Sequence, residues 1–217
     1  MKGVLKIDNY IYLSEKDKKI TSVGFSKKDI KNHKGISGLK YYLVILYLRK
    51  HVQTFGQVTL TLNDLLQEIG YSTKTNNKSI YSDFREIIKT EIINKGYASC
   101  STDIFVIKPN DLFHLQLSYE KNVFFTEDNF VQISIAEYEK ICSLQSKINK
   151  SILLGIYLYI KQYIMDYPGD IAPAKISFPS KSQIAKGLDT SIPTVENGLL
   201  VLESHKLIYI RRDMFVE

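Results

Sequence analysis

Residues Gln183–Val195 read QIAKGLDTSIPTV, a helical pattern that is interrupted by a tight turn and starts again at a serine. Ser191 is the expected N-cap of the second helix, and Pro193 falls in its first turn, where a missing amide loses no hydrogen bond. Apolar residues then continue at helical spacing, at Val195, Leu199 and Leu202. The pattern predicts two helices joined by a tight turn, the second of which packs along one side only.

An earlier part of the chain repeats this pattern. Residues Thr61–Ile93 match Phe178–Ile208 in the positions of their apolar residues, at an offset of 119 before the turn (184 − 65) and 115 after it (195 − 80). One difference of four residues in turn length accounts for both offsets. Further upstream, Val23–Ile30 matches Val131–Tyr138 at an offset of 108 (131 − 23). The chain therefore predicts two related units, each with a helix, a turn, a second helix and a following strand.

Each unit also has a predicted entry strand, a helix start and a central helix. The expected capping boxes pair a serine with an acid three residues later, at Ser26 with Asp29 and at Ser134 with Glu137. Apolar residues nearly encircle Leu39–His51 and Ile152–Met165, which predicts that these helices form the centre of each core. The many tyrosines are expected to serve packing, since they sit at core spacings: Tyr42, Tyr47, Tyr157 and Tyr159.

Strand and turn signals set the expected boundaries. After the turn Asn94–Gly96, short strands are predicted at Tyr97–Ser99 and Ile104–Ile107, and the second unit is expected to close with strands at Leu207–Ile210 and Met214–Val216. We expect a first domain at 1–108, a linker or bridging strand at 109–122 that includes a possible strand at 112–117, and a second domain at 123–217. Each strand pair would be a wing beside its helix-turn-helix.

This order of elements resembles tandem winged-helix DNA-binding proteins, particularly the replication initiators of plasmids and other mobile elements and related replisome-organiser modules. The resemblance is carried by Ser180–Ser204 together with Lys206–Val216. It implies an α+β fold, mainly helical, in which two tandem winged helix-turn-helix domains form a pseudo-dimer. It also implies binding to double-stranded DNA.

Composition agrees with an anionic partner. The 217 residues carry a net charge of +6 and give a pI near 9.0. Cys100 and Cys142 are too few for a disulfide framework or a four-cysteine zinc site, and we expect reduced thiols. The longest apolar run, Ile152–Ile160, is about half of the roughly 20 residues that span a bilayer, so a cytoplasmic protein without membrane contact is expected.

The second unit offers candidates for base and phosphate contact. Small polar side chains that can reach base edges or phosphates at the start of the second helix are Ser191, Thr194 and Asn197. Candidates for phosphate contact on the preceding helix and around the wing are Lys181, Ser182, Lys186, Lys206, Arg211 and Arg212. The second helix has no lysine or arginine but carries Glu196 and Glu203, which weakens it as a DNA reader.

The first unit has a longer, wholly polar turn. Its candidates for DNA contact are Lys74, Asn76, Asn77, Lys78 and Ser79. The following helix is predicted to bury Ile80, Phe84, Ile87 and Ile88 and to direct Tyr81, Ser82 and Arg85 towards solvent, the last two as further DNA contacts. Additional basic clusters at Lys16–Lys19, Lys27–Lys28 and Lys31–Lys34 are expected to be solvated, and would extend a phosphate track if they touch DNA.

Catalysis is not expected. The four histidines are isolated, no glycine-rich phosphate loop occurs, and Glu137 and Glu139 are two apart on a predicted solvent face, where they do not converge. No metal or cofactor is expected either.

Three interpretations stay open: a replication initiator or origin-binding protein, a transcriptional repressor or plasmid-transfer accessory factor, and a protein-docking module. The expected partners are duplex DNA, replication-machinery proteins and a second copy of the chain.

Overall fold

The computed structural model describes residues 22–71, 78–124, 130–167, 174–177 and 179–210. We call residues up to 124 the first half and residues from 130 the second half. The first half contains β1 (Ser22–Ser26), α1 (Lys27–Asn32), α2 (Gly35–His51), β2 (Gln57–Leu60), α3 (Leu62–Glu68), α4 (Lys78–Glu86) with a π-helical continuation (Ile87–Ile93), β3 (Ala98–Ser99) and β4 (Phe113–Leu117). The second half contains β5 (Phe130–Ser134), α5 (Ile135–Ser143), α6 (Lys150–Lys161), β6 (Met165–Tyr167), β7 (Ala174–Ile176), α7 (Lys181–Leu188) and α8 (Ile192–Ser204). The fold is α+β, with small antiparallel sheets.

The sheet of the first half has the strand order β2-β4-β3, so β4 is its central strand. Leu60 of β2 pairs with Phe113 of β4, and Ala98 of β3 pairs with Leu117. The segment 109–122, expected to be a linker or a bridging strand, thus supplies the strand that holds this sheet together. The strand predicted at Ile104–Ile107 is wrong: residues 104–106 form a turn in which the Val106 amide donates to the Asp103 carbonyl at 3.2 Å.

Strands β1 and β5 join the two halves with two-fold symmetry. They pair antiparallel, with Gly24 opposite Gln132 at the centre. These two residues are also equivalent in the sequence repeat, which has an offset of 108 here (132 − 24). On either side, Val23 lies opposite Ile133 and Phe25 lies opposite Val131, so each pair is the symmetry image of the other. A strand and its own repeat copy therefore pair as two identical subunits would across a dimer axis.

Helices α2 and α6 pack against each other in the centre of the protein. Most of α2 from Leu39 onwards and of α6 up to Tyr159 is buried, as their apolar patterns predicted. The second helix is shorter than predicted, since α6 ends at Lys161 and Met165 begins β6. A β-carbon added at Gly155 would lie 2.8 Å from Leu39 Cδ2, so the glycine allows the close approach of the two helices. The buried apolar residues of both halves form one continuous cluster. Tyr42, Tyr47, Tyr157 and Tyr159 all belong to it, which confirms their predicted packing role.

Capping boxes start four of the helices. The expected boxes are confirmed: in α1 the Asp29 amide donates to Ser26 Oγ at 3.0 Å, and in α5 the Glu137 amide donates to Ser134 Oγ at 3.2 Å. Two further boxes start α3 and α7, at Thr61 and Ser180. These local bonds explain why each entry strand ends where its helix begins.

In each half, the residue that follows the first helix of the repeated helix pair approaches the start of the other half's central helix. Gly70, with φ +80°, ends the first helix of one unit, and Asp189, with φ +52°, ends that of the other. They are repeat equivalents at the offset of 119. A β-carbon at Gly70 would lie 3.2 Å from Lys150 Cε at the start of α6, and one at Gly35 at the start of α2 would lie 3.7 Å from Asp189 Oδ2. Each half therefore touches the start of the other half's central helix, although Gly35 and Lys150 are not equivalent positions in the repeat.

Charged side chains add links between the halves. Glu68 of α3 lies 2.5 Å from His51 Nε2 and 3.4 Å from Lys50 Nζ, and it accepts the hydroxyl of Tyr138 from α5 at 3.2 Å. Burial by itself raises the pKa of the Glu68 carboxyl, but the hydrogen bond from His51 and the other partners outweigh burial and lower it. Lys50 also pairs with Glu139 of α5 at 2.9 Å.

Glu137 does not lie on a solvent face, contrary to the prediction. Its carboxylate is half-buried and accepts bonds from Tyr157 at 2.5 Å and Lys161 at 2.7 Å, both on α6. The sequence could not reveal this because both partners lie about 20 residues away along the chain. Glu137 therefore fixes α5 against α6.

Candidate nucleic-acid interface

In the second half, helices α7 and α8 are joined by a short turn that begins at Asp189, a left-handed residue. Ser191 is the N-cap of α8 and accepts the Thr194 amide at 3.2 Å, which confirms the predicted cap. The two hydroxyls of Ser191 and Thr194 also lie 2.7 Å apart. The predicted buried side of the helix is confirmed as well: Val195, Leu199 and Leu202 are buried.

The outward side of α8 is mostly apolar. Asn197, the candidate for base contact, is exposed. Its exposed neighbours on the helix include Ile192, Pro193 and Leu200, of which Leu200 is 55% exposed. This helix therefore presents one amide side chain among apolar residues, with the half-exposed Glu196 beside it.

Lys181, a candidate for phosphate contact on α7, pairs with an acid on the neighbouring helix. Its Nζ lies 2.8 Å from Glu196 Oε1 on α8, and both side chains are about half exposed. An exposed pair of this kind contributes little to stability. It does partly neutralise the positive charge that a phosphate would meet at the start of α7.

The remaining candidates of the second half lie at the ends of its helices. Ser182 and Lys186 on α7 are exposed, and Lys206 follows the end of α8 with φ +57°. The strand predicted at Leu207–Ile210 is wrong for the part of the chain that is described: Leu207 lies in a bend, and residues 208–210 form no regular structure. Arg211 and Arg212, together with the last predicted strand, lie outside the described residues.

In the first half, the exposed candidates cluster at the start of α4. Lys78, Ser79 and Ser82 are all exposed there. Lys74, Asn76 and Asn77 in the preceding turn lie outside the described residues. Phe84, Ile87 and Ile88 are buried as predicted, whereas Ile80 is only half-buried.

Two residues predicted to point towards solvent from α4 do not. Tyr81 is only 7% exposed, and its hydroxyl donates to the Asn63 side chain on α3. Arg85 is half-buried, and its Nη2 donates to the Ile107 carbonyl at 2.7 Å. Helical spacing alone predicted both to be exposed, because the loop and helix that cover them come from other parts of the sequence. Arg85 thus ties α4 to the loop between β3 and β4.

The helix also continues further than predicted. Ile92 and Ile93 were expected in a strand, but they belong to the π-helical continuation of α4. The amides of Asn94 and Tyr97 each donate to a carbonyl five residues earlier, as in a π-helix. The predicted turn at Asn94–Gly96 then follows, and Gly96 has φ +76°.

The loop between β3 and β4 displays two apolar side chains. Ile104 and Ile107 point inward and are buried, while Phe105 and Val106 between them are 48% and 69% exposed. The Phe105 amide donates to Asp103 Oδ1 at 3.2 Å, which fixes the turn locally. The loop beside α4 is therefore ordered by its own residues and by Arg85.

An ion pair that positions α4 was not foreseen. Lys40 of α2 is only 4% exposed and binds Asp83 of α4, which also accepts the hydroxyl of Ser37 at 3.2 Å. The available signal was a lysine within an apolar helix, since a buried lysine needs an acidic or carbonyl partner. Its equivalent in the second half, at an offset of 110 (150 − 40), is Lys150, which is also buried and donates to the Leu144 carbonyl.

The structure thus groups the described candidates into two sets. One set lies at the start of α4 and the other on α7 and α8, in opposite halves of the two-fold arrangement. No protein-family model matches the chain, and no curated protein or solved structure is significantly similar to it. Within the described ranges, every helix is too short or too polar to cross a membrane.

Proposed function

We propose that this protein binds duplex DNA in a sequence-specific manner, through two winged helix-turn-helix units held together as an internal dimer. The observation that carries the proposal is the two-fold pairing of β1 with β5, centred on Gly24 and Gln132. Proteins that bind DNA as dimers present two reading helices related by such an axis. Here one chain supplies both copies.

The order of elements in the first half supports this class. A helix (α2), a strand (β2), two helices (α3 and α4) and the strands β3 and β4 follow one another, and β4 lies between the other two strands. In the proposal, α4 reads the major groove and the loop between β3 and β4 is the wing. In the second half, α6, α7 and α8 take the same roles as α2, α3 and α4, and the residues after Ile208 form the second wing.

The two units would touch DNA differently. In the first, Lys78, Ser79 and Ser82 on α4 would contact phosphates and base edges, together with the preceding turn. In the second, Asn197 would contact a base, and Lys186, Lys206 and the arginine pair would contact phosphates. Because the reading surfaces differ while the core is shared, we propose one composite, non-palindromic site.

The biological process follows from the resemblance to replication initiators. We propose that the protein binds the replication origin of a plasmid or other mobile element, as a DNA-binding protein without catalytic activity. Repression of transcription and assistance in plasmid transfer are alternatives that use the same DNA contacts. Footprinting on the DNA around the encoding gene separates them: protection of repeats within an origin supports initiation, and protection of a promoter supports repression.

One observation favours a second function for the second half. The outward side of α8 combines exposed Ile192 and Leu200 with Glu196, which is paired to Lys181. A surface that is apolar and acidic suits a protein partner better than a phosphate backbone. In this alternative, the first half binds DNA and α8 docks on another protein.

The decisive experiment is a titration of fluorescently labelled duplexes at several salt concentrations, followed by selection of bound sequences from a random pool. We expect binding at low salt, a steep loss of affinity with rising salt, and enrichment of one asymmetric sequence. Absence of binding to any duplex at low salt would refute the proposal. Binding without any enriched sequence would refute its specificity.

A further inference from the structure

We infer that the exposed lysines of α1 form a phosphate-contact surface that belongs to the first half alone and extends the DNA contact beyond α4, an inference that rests on the proposed DNA binding. We call this surface the α1 lysine patch. Its members are Lys27, Lys28, Lys31 and Lys34, all of which are exposed. None of them has an ion-pair partner among the described residues.

Lysines of the patch occupy positions that destabilise the helices on which they lie. Lys27 and Lys28 occupy the first two positions of α1, where the helix dipole disfavours positive charge. Lys34 is the N-cap of α2, a position at which a lysine cannot accept a backbone amide, and the first turn of α2 has no acid. Lys31 lies three and four residues from the first two, at the spacing where like charges repel. Lys31 itself lies in the last turn of α1, where the dipole favours a cation. The fold alone does not explain Lys27, Lys28 and Lys34.

The nearest acids do not neutralise the patch. Asp29 is engaged in the capping box, where its carboxylate accepts the Ser26 amide at 3.2 Å and the Ser26 hydroxyl at 2.7 Å. Glu91 lies 3.0 Å from His33 Nε2 and also pairs with Lys95. The neutral donors of the capping box leave Asp29 charged, but neither acid forms an ion pair with a lysine of the patch, whose ammonium groups are left to solvent or to an external anion.

The second half provides an internal comparison. Helix α5 is the repeat copy of α1, with the same entry strand and the same capping box. At the offset of 108, the equivalents of Lys27, Lys28 and Lys31 are Ile135, Ala136 and Glu139. Helix α5 thus follows its entry strand with the same capping box but has none of these lysines. We infer that the lysines are not needed for the fold.

The position of the patch fits a track along one DNA duplex. His33, at the end of α1, contacts Glu91 in the continuation of α4, so α1 lies beside the far end of the proposed reading helix. Glu91 follows Lys78 by 13 positions, which is at most about 20 Å at the α-helical rise. This is close to half a turn of duplex, since about 10 base pairs make one turn of about 34 Å. The patch would then meet the phosphate backbone that flanks the groove read by α4.

The test compares three triple variants with the wild-type protein. The first is Lys27→Gln, Lys28→Gln and Lys31→Gln. The matched control is Lys121→Gln, Lys140→Gln and Lys147→Gln, which removes the same charge from three exposed lysines outside α1. The third variant replaces the same α1 lysines with arginine and keeps the charge. Measurements are duplex affinity over a salt series and the thermal midpoint of unfolding.

We expect the first variant to bind duplex roughly tenfold more weakly at moderate salt, and its salt slope to fall by about 2 to 3, since each phosphate contact contributes about 0.9. Its thermal midpoint should stay the same or rise, because unfavourable charge has been removed. The control and the arginine variant should keep wild-type affinity. A loss of affinity and a rise in stability in one variant cannot come from damage to the fold.

Other results overturn the inference. If the first variant binds duplex as the wild-type protein does, the patch is an ordinary solvated surface. If it keeps duplex binding but loses binding to phosphatidylserine vesicles, the patch serves a lipid surface instead. If the control variant loses as much duplex affinity as the first variant, only the net charge of the protein matters. The phosphate contact is then wrongly assigned to the α1 lysine patch. Failure of the wild-type protein to bind any duplex refutes the proposed function itself, which is a distinguishable outcome.

Discussion

The hydroxyl of Tyr71 donates a 2.5 Å hydrogen bond to Asn149 Oδ1, and this bond joins the turn after α3 in the first half to the start of α6 in the second. The same amide oxygen accepts the Ser151 amide at 2.9 Å as the N-cap of α6. One side chain therefore both caps a central helix and holds the two halves together.

Removal of the Tyr71 hydroxyl should weaken this junction. We expect Tyr71→Phe to lower the free energy of unfolding by about 0.5 to 1.5 kcal/mol, and Asn149→Ala to lower it by more, since that change also removes the cap. In a double-mutant cycle measured by urea denaturation, the two changes should couple by about 0.5 kcal/mol or more. Tyr119→Phe, at an exposed tyrosine, is the control. Strict additivity of Tyr71→Phe and Asn149→Ala would contradict the assigned bond.

A second prediction concerns the packing of α7 against α6. A β-carbon at Gly187 would overlap the ring of Tyr159. We expect Gly187→Ala to destabilise the protein by about 1 to 3 kcal/mol, although alanine in a helix is favoured over glycine by about 1 kcal/mol. In a Tyr159→Leu background the ring is gone, and the same change should become neutral or stabilising. Thermal unfolding of the four proteins measures this, and a loss of equal size in both backgrounds would show that the ring is not the cause.

The free energy of unfolding should depend on pH in the acid range because of Glu137. Burial by itself raises the pKa of this carboxyl, but the bonds from Lys161, Ser134 and Tyr157 outweigh burial and lower it to about 2. An unfolded glutamate titrates near pH 4.3, so as pH falls the unfolded chain takes up its proton first. The stabilisation from this group is therefore fully present above about pH 5 and is lost between about pH 4.3 and 2.

Glu137→Gln should accordingly lower the free energy of unfolding near neutral pH and reduce its dependence on pH in the acid range. Urea denaturation at several pH values measures both effects. Glu120→Gln, at an exposed residue, is the control and should keep the wild-type dependence. If Glu137→Gln keeps the full acid dependence, another carboxyl such as Glu68 is responsible.

The proposed DNA contacts separate into those that read sequence and those that bind any duplex. Asn197→Ala should mainly relax sequence preference, because an amide can pair with one base edge. Arg211→Ala together with Arg212→Ala should weaken binding to all duplexes and reduce the salt slope. Competition between selected and random duplexes measures the difference. An equal loss on all sequences from Asn197→Ala would rule out its role in base reading.

Local sequence patterns predicted the parts of this protein that depend on neighbours along the chain. The capping boxes at Ser26 and Ser134, the N-cap at Ser191 and the buried side of α8 were all foreseen, since each depends on residues within one or two helical turns. Strand β2 at Gln57–Leu60 was not foreseen, because four residues give little periodic signal.

The burial of Tyr81 and Arg85 could not be predicted from the helical spacing of the sequence. Both lie on the side of α4 that its helical period directs outward, yet one is buried against Asn63 and the other binds the Ile107 carbonyl. The covering residues are about 20 positions away and approach only when the first-half sheet forms. The sequence also predicted Lys181 as a phosphate contact, but it did not reveal that Lys181 is paired with Glu196.

The sequence by itself determined that the chain contains two copies of one pattern, because periodic apolar residues and capping motifs act locally and repeat with the chain. Only the tertiary structure decided how the copies meet. Gly24 lies opposite Gln132, Gly70 lies beside Lys150, and Asp189 lies beside Gly35. These contacts join residues about 80 to 150 positions apart, and they exist only once both apolar helices, α2 and α6, are buried in one common core.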